Sequence, residues 1–217
     1  MDQLTLIIGN KNYSSWSLRP WILARHLGLE FRERLIALDQ AASAAQISAA
    51  NPAGRVPALR HGELLVWESI SICEYLCELA GRGLPTQAAA RAAARSVSAE
   101  MHAGFQALRQ QWPMNARATG RHTAMTPALQ RDLARIDSLW SECRARSAAH
   151  GPWLFGEYSL ADAMYAPVVL RLRTYGAQPS PPAQRYMTTV LADPHLQEWL
   201  AAAGSESWTV ATESIGR

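Results

Sequence analysis

The sequence predicts two domains of different class: an α/β domain over residues 1–81 and an all-α helical bundle over residues 88–217, joined by a linker at 82–87. Three observations predict this. The first eighty residues alternate short apolar runs with turn formers. Gly81-Arg82-Gly83-Leu84-Pro85 then interrupts every periodic pattern around it, and beyond it Ala, Arg, Leu and Glu dominate while β-branched residues become scarce. A chain of 217 residues that is 48% apolar can bury a substantial core in this arrangement.

Leu4 to Ile8 is a compact apolar strand, ended by the turn residues Gly9-Asn10-Lys11-Asn12. Ser14, Ser15 and Ser17 mark a helix start, with Pro20 expected in its first turn and Trp21, Ile22, Ala24 and Leu27 forming an apolar face up to Gly28. Phe31 to Ala37 alternates as a second strand, parallel to the first by the crossover rule. Residues 39–50, rich in Ala, Ser and Gln, fit either a short helix or a mobile cover. Asn51-Pro52 and Gly54 are turn formers, and Val56-Pro57 interrupts an extended run that leads into a strand. His61-Gly62 suits a hairpin turn and Leu64 to Trp67 a further strand. Glu68-Ser69 opens a helix filled by Ile70, Ile72, Cys73, Leu76 and Leu79. The order β-α-β-loop-β-β-α is that of thioredoxin-like domains.

In the second half, Ala88 to about Gln111 reads as one long helix stopped near Trp112-Pro113, with an antiparallel partner from Thr126 to Arg146. Ser159 and Asp162 have capping-box spacing at the head of a central buried helix running from Ala161 to about Leu172, a structural pairing rather than a catalytic one. Residues 174–182 form a Pro-rich loop. Helices follow at Gln184 to Leu191 and from Asp193-Pro194 to Ala203, and Trp208 is the expected anchor of the tail.

The formal charge of +3 comes from arginines spaced among alanines and acids, a solvated helix face; no basic run interleaved with stacking aromatics points to nucleic acid. Of three cysteines, Cys73 and Cys77 share one helix face and Cys143 is distant, which favours a reducing compartment over a disulfide framework. The apolar run at the start is too short for a signal core, and no later run approaches a membrane span, so the expectation is a cytoplasmic protein. The six histidines have no ligand spacing with each other or with cysteine, so no metal site is expected. A phosphate loop and a dinucleotide fingerprint are both absent.

The chemistry concentrates in residues 51–79. A cis Val56-Pro57 bond leaves the Val56 amide and carbonyl facing outward, an edge with which an extended peptide can pair. The amides opening the Ser69 helix suit a carboxylate, and Glu68 beside them suits an ammonium. Together these features would hold a short peptide with a free α-amino acid end.

The pattern NPxGxVP, hairpin, ES, helix resembles the glutathione-binding half of the soluble glutathione transferases, and the resemblance extends over the whole chain. It implies that Val56 pairs with the cysteinyl backbone of glutathione, that Pro57 is cis, and that Glu68 and Ser69 hold the γ-glutamyl end. Arg55 and Gln40 would reach the glycyl carboxylate. A homodimer is implied as well, as is the absence of nucleic-acid and membrane partners.

The loop Asn12-Tyr13-Ser14-Ser15-Trp16-Ser17-Leu18-Arg19 aims hydroxyls at the following helix, where thioredoxin-like domains place a sulfur. Holding a thiol as thiolate about two units below its ordinary pKa requires roughly 2.7 kcal/mol. One hydrogen bond to a charged group supplies about 1.5–3 kcal/mol and a helix terminus about 0.3–1, so one serine at a helix end suffices. Registering Ser14-x-x-Ser17 on the CxxC of thioredoxins makes Ser14 the thiolate donor, with Ser15 as its neighbour or substitute.

This string resembles the SSCSxR loop of the zeta class, with Ser14, Ser15, Ser17 and Arg19 in matching places and Trp16 where that class has cysteine. No cysteine lies in the loop to support disulfide exchange. The expected function is a transferase adding the glutathione thiolate to an electrophile that lies against Trp16, Phe105, Trp112 and Met114. The alternatives are a zeta-type isomerase of maleylacetoacetate and a binding or regulatory module without turnover. Ser14 and Ser15 argue against the last.

Overall fold

The computed structural model describes residues 3–216; Met1, Asp2 and Arg217, at the outer limits of the expected domains, lie outside the described residues. The elements of the first half are β1 (Leu4–Ile8), α1 (Ser15–His26), β2 (Phe31–Leu35), α2 (Ser43–Ala50), β3 (Ala58–His61), β4 (Leu64–Val66) and α3 (Ser69–Ala80). The strands form one sheet in the order β2-β1-β3-β4; β2 runs parallel to β1, and β3 is antiparallel to both β1 and β4. Alternation along β1 divides the core. Leu4, Leu6 and Ile8 face the cluster that holds α1 and α3, whereas Ile7 packs with Ile36, Ala50 and Ala58 on the opposite face, under α2. The open choice over residues 39–50 thus resolves as a helix, Ser43–Ala50.

The helical region comprises α4 (Ala88–Ala103), α5 (Gln106–Gln111), α6 (Pro127–Ser147), α7 (Leu160–Thr174), α8 (Pro181–Leu191) and α9 (Pro194–Gly204). Helix α7 is its axis. Every residue from Leu160 to Leu172 is buried, and α7 packs against α1 and α3 of the sheet region as well as α4 and α8. A helix without a wet face must satisfy its ends inside the protein. Asp162 does this at the N-terminus, accepting from the Ser159 amide (2.9 Å), the Leu154 amide (2.9 Å), the Ser159 hydroxyl (2.9 Å) and Tyr186 Oη (3.1 Å). Burial nevertheless pushes the Asp162 carboxyl up to about 6.

Three sequence expectations are corrected. The helix expected over residues 88–111 breaks at Gly104-Phe105, where Phe105 adopts the left-handed region (φ 60) and starts α5 on a new axis. The Arg109 guanidinium holds the break by donating to the Met101, His102 and Gly104 carbonyls at the end of α4. Pro20 is the sixth residue of α1 rather than a first-turn residue, so the Trp16 carbonyl lacks its usual donor four residues on. In the tail, Trp208 is 38% exposed, and the anchors are instead Glu206 and Glu213.

Replacing Asp162 with Ala leaves the Leu154 and Ser159 amides buried without acceptors, each costing about 1–3 kcal/mol. Urea unfolding should therefore show a loss of about 2–6 kcal/mol. Asp162→Asn, which keeps one acceptor oxygen, should lose less.

Candidate functional site

The hairpin and helix of residues 51–79 form one wall of a cavity of about 480 Å³ lined by Asn51, Arg55, Val56, Pro57, Trp67, Glu68, Trp16, His102 and Ala103. The Val56-Pro57 bond is cis, and neither the Val56 amide nor its carbonyl pairs with backbone among the described residues. Asn51 fixes the loop that presents this edge. Its side chain donates to the Arg55 carbonyl (2.8 Å) and accepts from the Ala53 amide (3.1 Å). Glu68 is the N-cap residue of α3 in extended conformation, and no side chain caps that helix, so its first amides are open.

The opposite wall comes from the first turn of α1 and the last turn of α4. Trp16 lies between two guanidiniums, Arg19 at 4.2 Å and Arg109 at 4.7 Å from its ring, with the His102 ring edge-on at 5.3 Å. Arg19 is fully buried and donates to Ser69 Oγ (3.4 Å), linking α1 to the start of α3. Burial, then the Arg109 charge, pulls Arg19 down to about 9, and burial does the same to Arg171; both remain cations at neutral pH. Burial, reinforced by the Arg19 guanidinium, also lowers His102.

Ser14 is the N-cap of α1 and accepts from the Ser17 amide (3.4 Å); its hydroxyl donates to Ser17 Oγ (2.7 Å), which also accepts from the Gly9 amide (3.0 Å). Ser15 Oγ accepts from Arg171 Nη2 (3.1 Å). Both serines are buried beside Trp16, which is the first-turn residue that forms the cavity wall itself.

Of the residues singled out in the sequence, the cavity brings together Val56, Pro57, Glu68, Arg55 and Trp16. Ser69 stands immediately behind, buried under Arg19. Gln40 is exposed and turned to the Leu38 carbonyl (3.1 Å), and Arg55 is at the exposed rim, 3.9 Å from Glu68. Phe105, Trp112 and Met114 are buried in the core and not in the cavity wall; Trp112 stacks on Tyr175 at 5.1 Å. His102 and Trp67 join the site unforeseen. For His102 the missing signal is the helix break just after it, which the alanine-rich periodicity conceals. Among the described residues, no three His, Cys, Asp or Glu side chains converge to hold a metal ion. No helix among them is long and apolar enough to cross a membrane.

Residues 13–79 match the N-terminal domain of glutathione S-transferases, and residues 126–202 match the C-terminal domain. Protein IN2-1 of Zea mays is 26% identical over 166 residues, covering 75% of this chain; the match spans 63% of the maize protein, less than two thirds of its length. A glutathione transferase homologue from Burkholderia GL BGR1, solved with bound glutathione, superimposes with a TM-score of 0.71 at 23% identity, over 94% of this chain and 100% of that one. A glutathione transferase family member from Pseudomonas fluorescens Pf-5, solved with two glutathione bound, gives 0.70 at 18% identity, over 92% of each chain. At these identities the two structures speak for the fold.

His102 should titrate below 6.5 by nuclear magnetic resonance and be neutral at pH 7. Its folded pKa is depressed, so protonation favours the unfolded chain, and this residue's contribution to stability falls as pH drops through 6.5. Trp16→Ala, which uncovers the ring, should return the midpoint towards 6.5.

Proposed function

Because the chain belongs to the glutathione S-transferase family, we propose that it binds glutathione in the cavity between Val56, Glu68 and Trp16 and promotes addition of the glutathione sulfur to an electrophilic small molecule. The observation that carries this is the meeting, in one cavity, of a backbone edge at Val56 that pairs with no other main chain among the described residues, an uncapped helix start beside Glu68, and the first turn of α1. The edge pairs with the cysteinyl main chain, the α3 amides with the γ-glutamyl carboxylate, and Glu68 with the γ-glutamyl ammonium. Arg55 at the rim, and Gln40 once turned from Leu38, serve the glycyl carboxylate.

The sulfur then lies over the first turn of α1. A serine hydroxyl both donates and accepts and can rotate. When Ser17 turns its proton to Ser14 while keeping the Gly9 amide as its own donor, the Ser14 proton is free for the sulfur. Each bond in such a chain polarises the next. Arg171 fixes Ser15 alongside, and the guanidiniums of buried Arg19 and half-buried Arg109 around Trp16 add positive potential for the thiolate. The nucleophile belongs to glutathione; the protein orients it and stabilises its charge. The electrophile lies against Trp16, whereas Phe105, Trp112 and Met114, buried in the core, take no part in its pocket.

Residues 1–81 and 88–217 would be the two domains, with the linker at 82–87. The protein would act in the cytoplasm as a homodimer. A second reading, zeta-type isomerisation, is supported by the order of Ser14, Ser15, Ser17 and Arg19. It uses the same thiolate, which adds to and then leaves an unsaturated carbon.

Titrating the ultraviolet thiolate absorbance of bound glutathione should give a midpoint well below that of free glutathione. Ser14→Ala should raise this midpoint by about 1–2 units, the worth of one hydrogen bond to a charged group, and Ser15→Ala by less. No thiolate signal in the wild type would remove the transferase reading, and an unshifted Ser14→Ala curve would remove Ser14 from the mechanism. Turnover of maleylacetone tests the isomerase.

A further inference from the structure

The turn that precedes Ser14 cannot satisfy its own main chain. Within it the Tyr13 and Ser14 amides both donate to the Asn10 carbonyl (3.2 and 2.8 Å), which leaves the Lys11 and Asn12 amides without a partner in the turn. Asn12 is fully buried, so water does not serve it. Both amides end on one carboxylate from the far end of the chain. Glu206 accepts from Lys11 N through Oε1 (2.7 Å) and from Asn12 N through Oε2 (3.0 Å). Three further groups of the turn are held by the helical half of the chain. The Lys11 carbonyl accepts from Trp199 Nε1 (2.8 Å), the Asn12 carbonyl from the Ala116 amide (2.9 Å), and Asn12 Oδ1 from the Arg117 amide (2.8 Å).

We propose that Glu206 is a positioning residue for the glutathione-activating turn: by fixing the Lys11 and Asn12 amides it sets the place of Ser14 relative to the sulfur. This role rests on the preceding proposal that the sulfur lies at the start of α1. The neighbouring contacts act in the same sense. Tyr13 Oη donates to Glu213, and Arg117 donates to both the Glu206 carbonyl and Tyr13 Oη, so the tail straps the three residues that precede Ser14.

The sign of one measurement separates positioning from a simple charge effect. Removing a negative charge near a thiolate favours the thiolate and lowers its pKa. Losing the position of Ser14 removes a donor and raises it. A carboxylate that supports the fold without reaching the site moves it in neither direction.

The thiolate titration of bound glutathione is therefore run on the wild type, on Glu206→Gln, and on Glu198→Gln as a charge control from the exposed pair that joins Arg25 of α1 to Glu198 of α9. Glu206→Gln is expected to raise the midpoint by about one unit, a tenfold loss of thiolate well below the midpoint. A misplaced donor should also lower kcat/KM by about tenfold to a hundredfold towards an activated aryl chloride, while the glutathione dissociation constant changes by less than about twofold. Glu198→Gln should leave the midpoint in place. An unchanged or lowered midpoint in Glu206→Gln overturns the proposal while leaving glutathione activation intact. A wild type without thiolate overturns both. If Glu206→Gln does not fold, Glu206→Asp, which keeps the charge and shortens the reach, is read instead: a raised midpoint supports the proposal and a wild-type midpoint overturns it.

Discussion

A helix buried on every side governs how the two halves of this protein meet. Helix α7 has no solvent to receive its ends, so each polar group there must find protein. At its head Asp162 gathers donors from the preceding loop and from Tyr186 of α8. Towards its tail Arg171 reaches the Trp112 carbonyl and Ser15, and the Thr174 hydroxyl shares its one proton between the Asn115 and Ala118 carbonyls (both 3.1 Å). The segment around Asn115, fixed in this way, meets the main chain and side chain of Asn12. A requirement for satisfied hydrogen bonds in the core thus becomes a positional constraint on the turn before Ser14.

Charge is distributed with the same economy. Arg19, Arg109 and Arg171 surround the first turn of α1, and among the described residues their hydrogen bonds run to carbonyls and hydroxyls rather than to carboxylates. Their positive potential adds to that of the α1 terminus. Glu68, by contrast, stands at the rim of the cavity, 44% exposed, where water screens it. The site is therefore positive at its floor and negative at one edge, a polarity suited to a ligand with an anionic reacting atom and a cationic end.

Much of the first half was legible because its signals are local. Turn formers at Asn51, Gly54 and Gly62, the Val56-Pro57 interruption and the apolar spacing after Glu68 specify a loop, a hairpin and a helix within thirty residues. The Ser159 and Asp162 pair was legible for the same reason. The break at Gly104-Phe105 was not, because nothing in an alanine-rich run announces that a phenylalanine will take a left-handed conformation. Contacts that join distant parts of the chain leave no such trace. Ser15 and Arg171 are 156 residues apart, and Lys11 and Glu206 are 195 apart. The residues of the cavity could thus be named from sequence more readily than those that hold them in place.

The tie between the Lys11–Asn12 turn and Glu206 also orders events during synthesis. A nascent polypeptide still short of residue 206 has made its whole sheet and most of its helices, yet the turn before Ser14 lacks the acceptor of two amides. The turn is therefore completed late, when the residues after α9 have cleared the ribosome, and a prematurely terminated product would leave two of its amides without their acceptor.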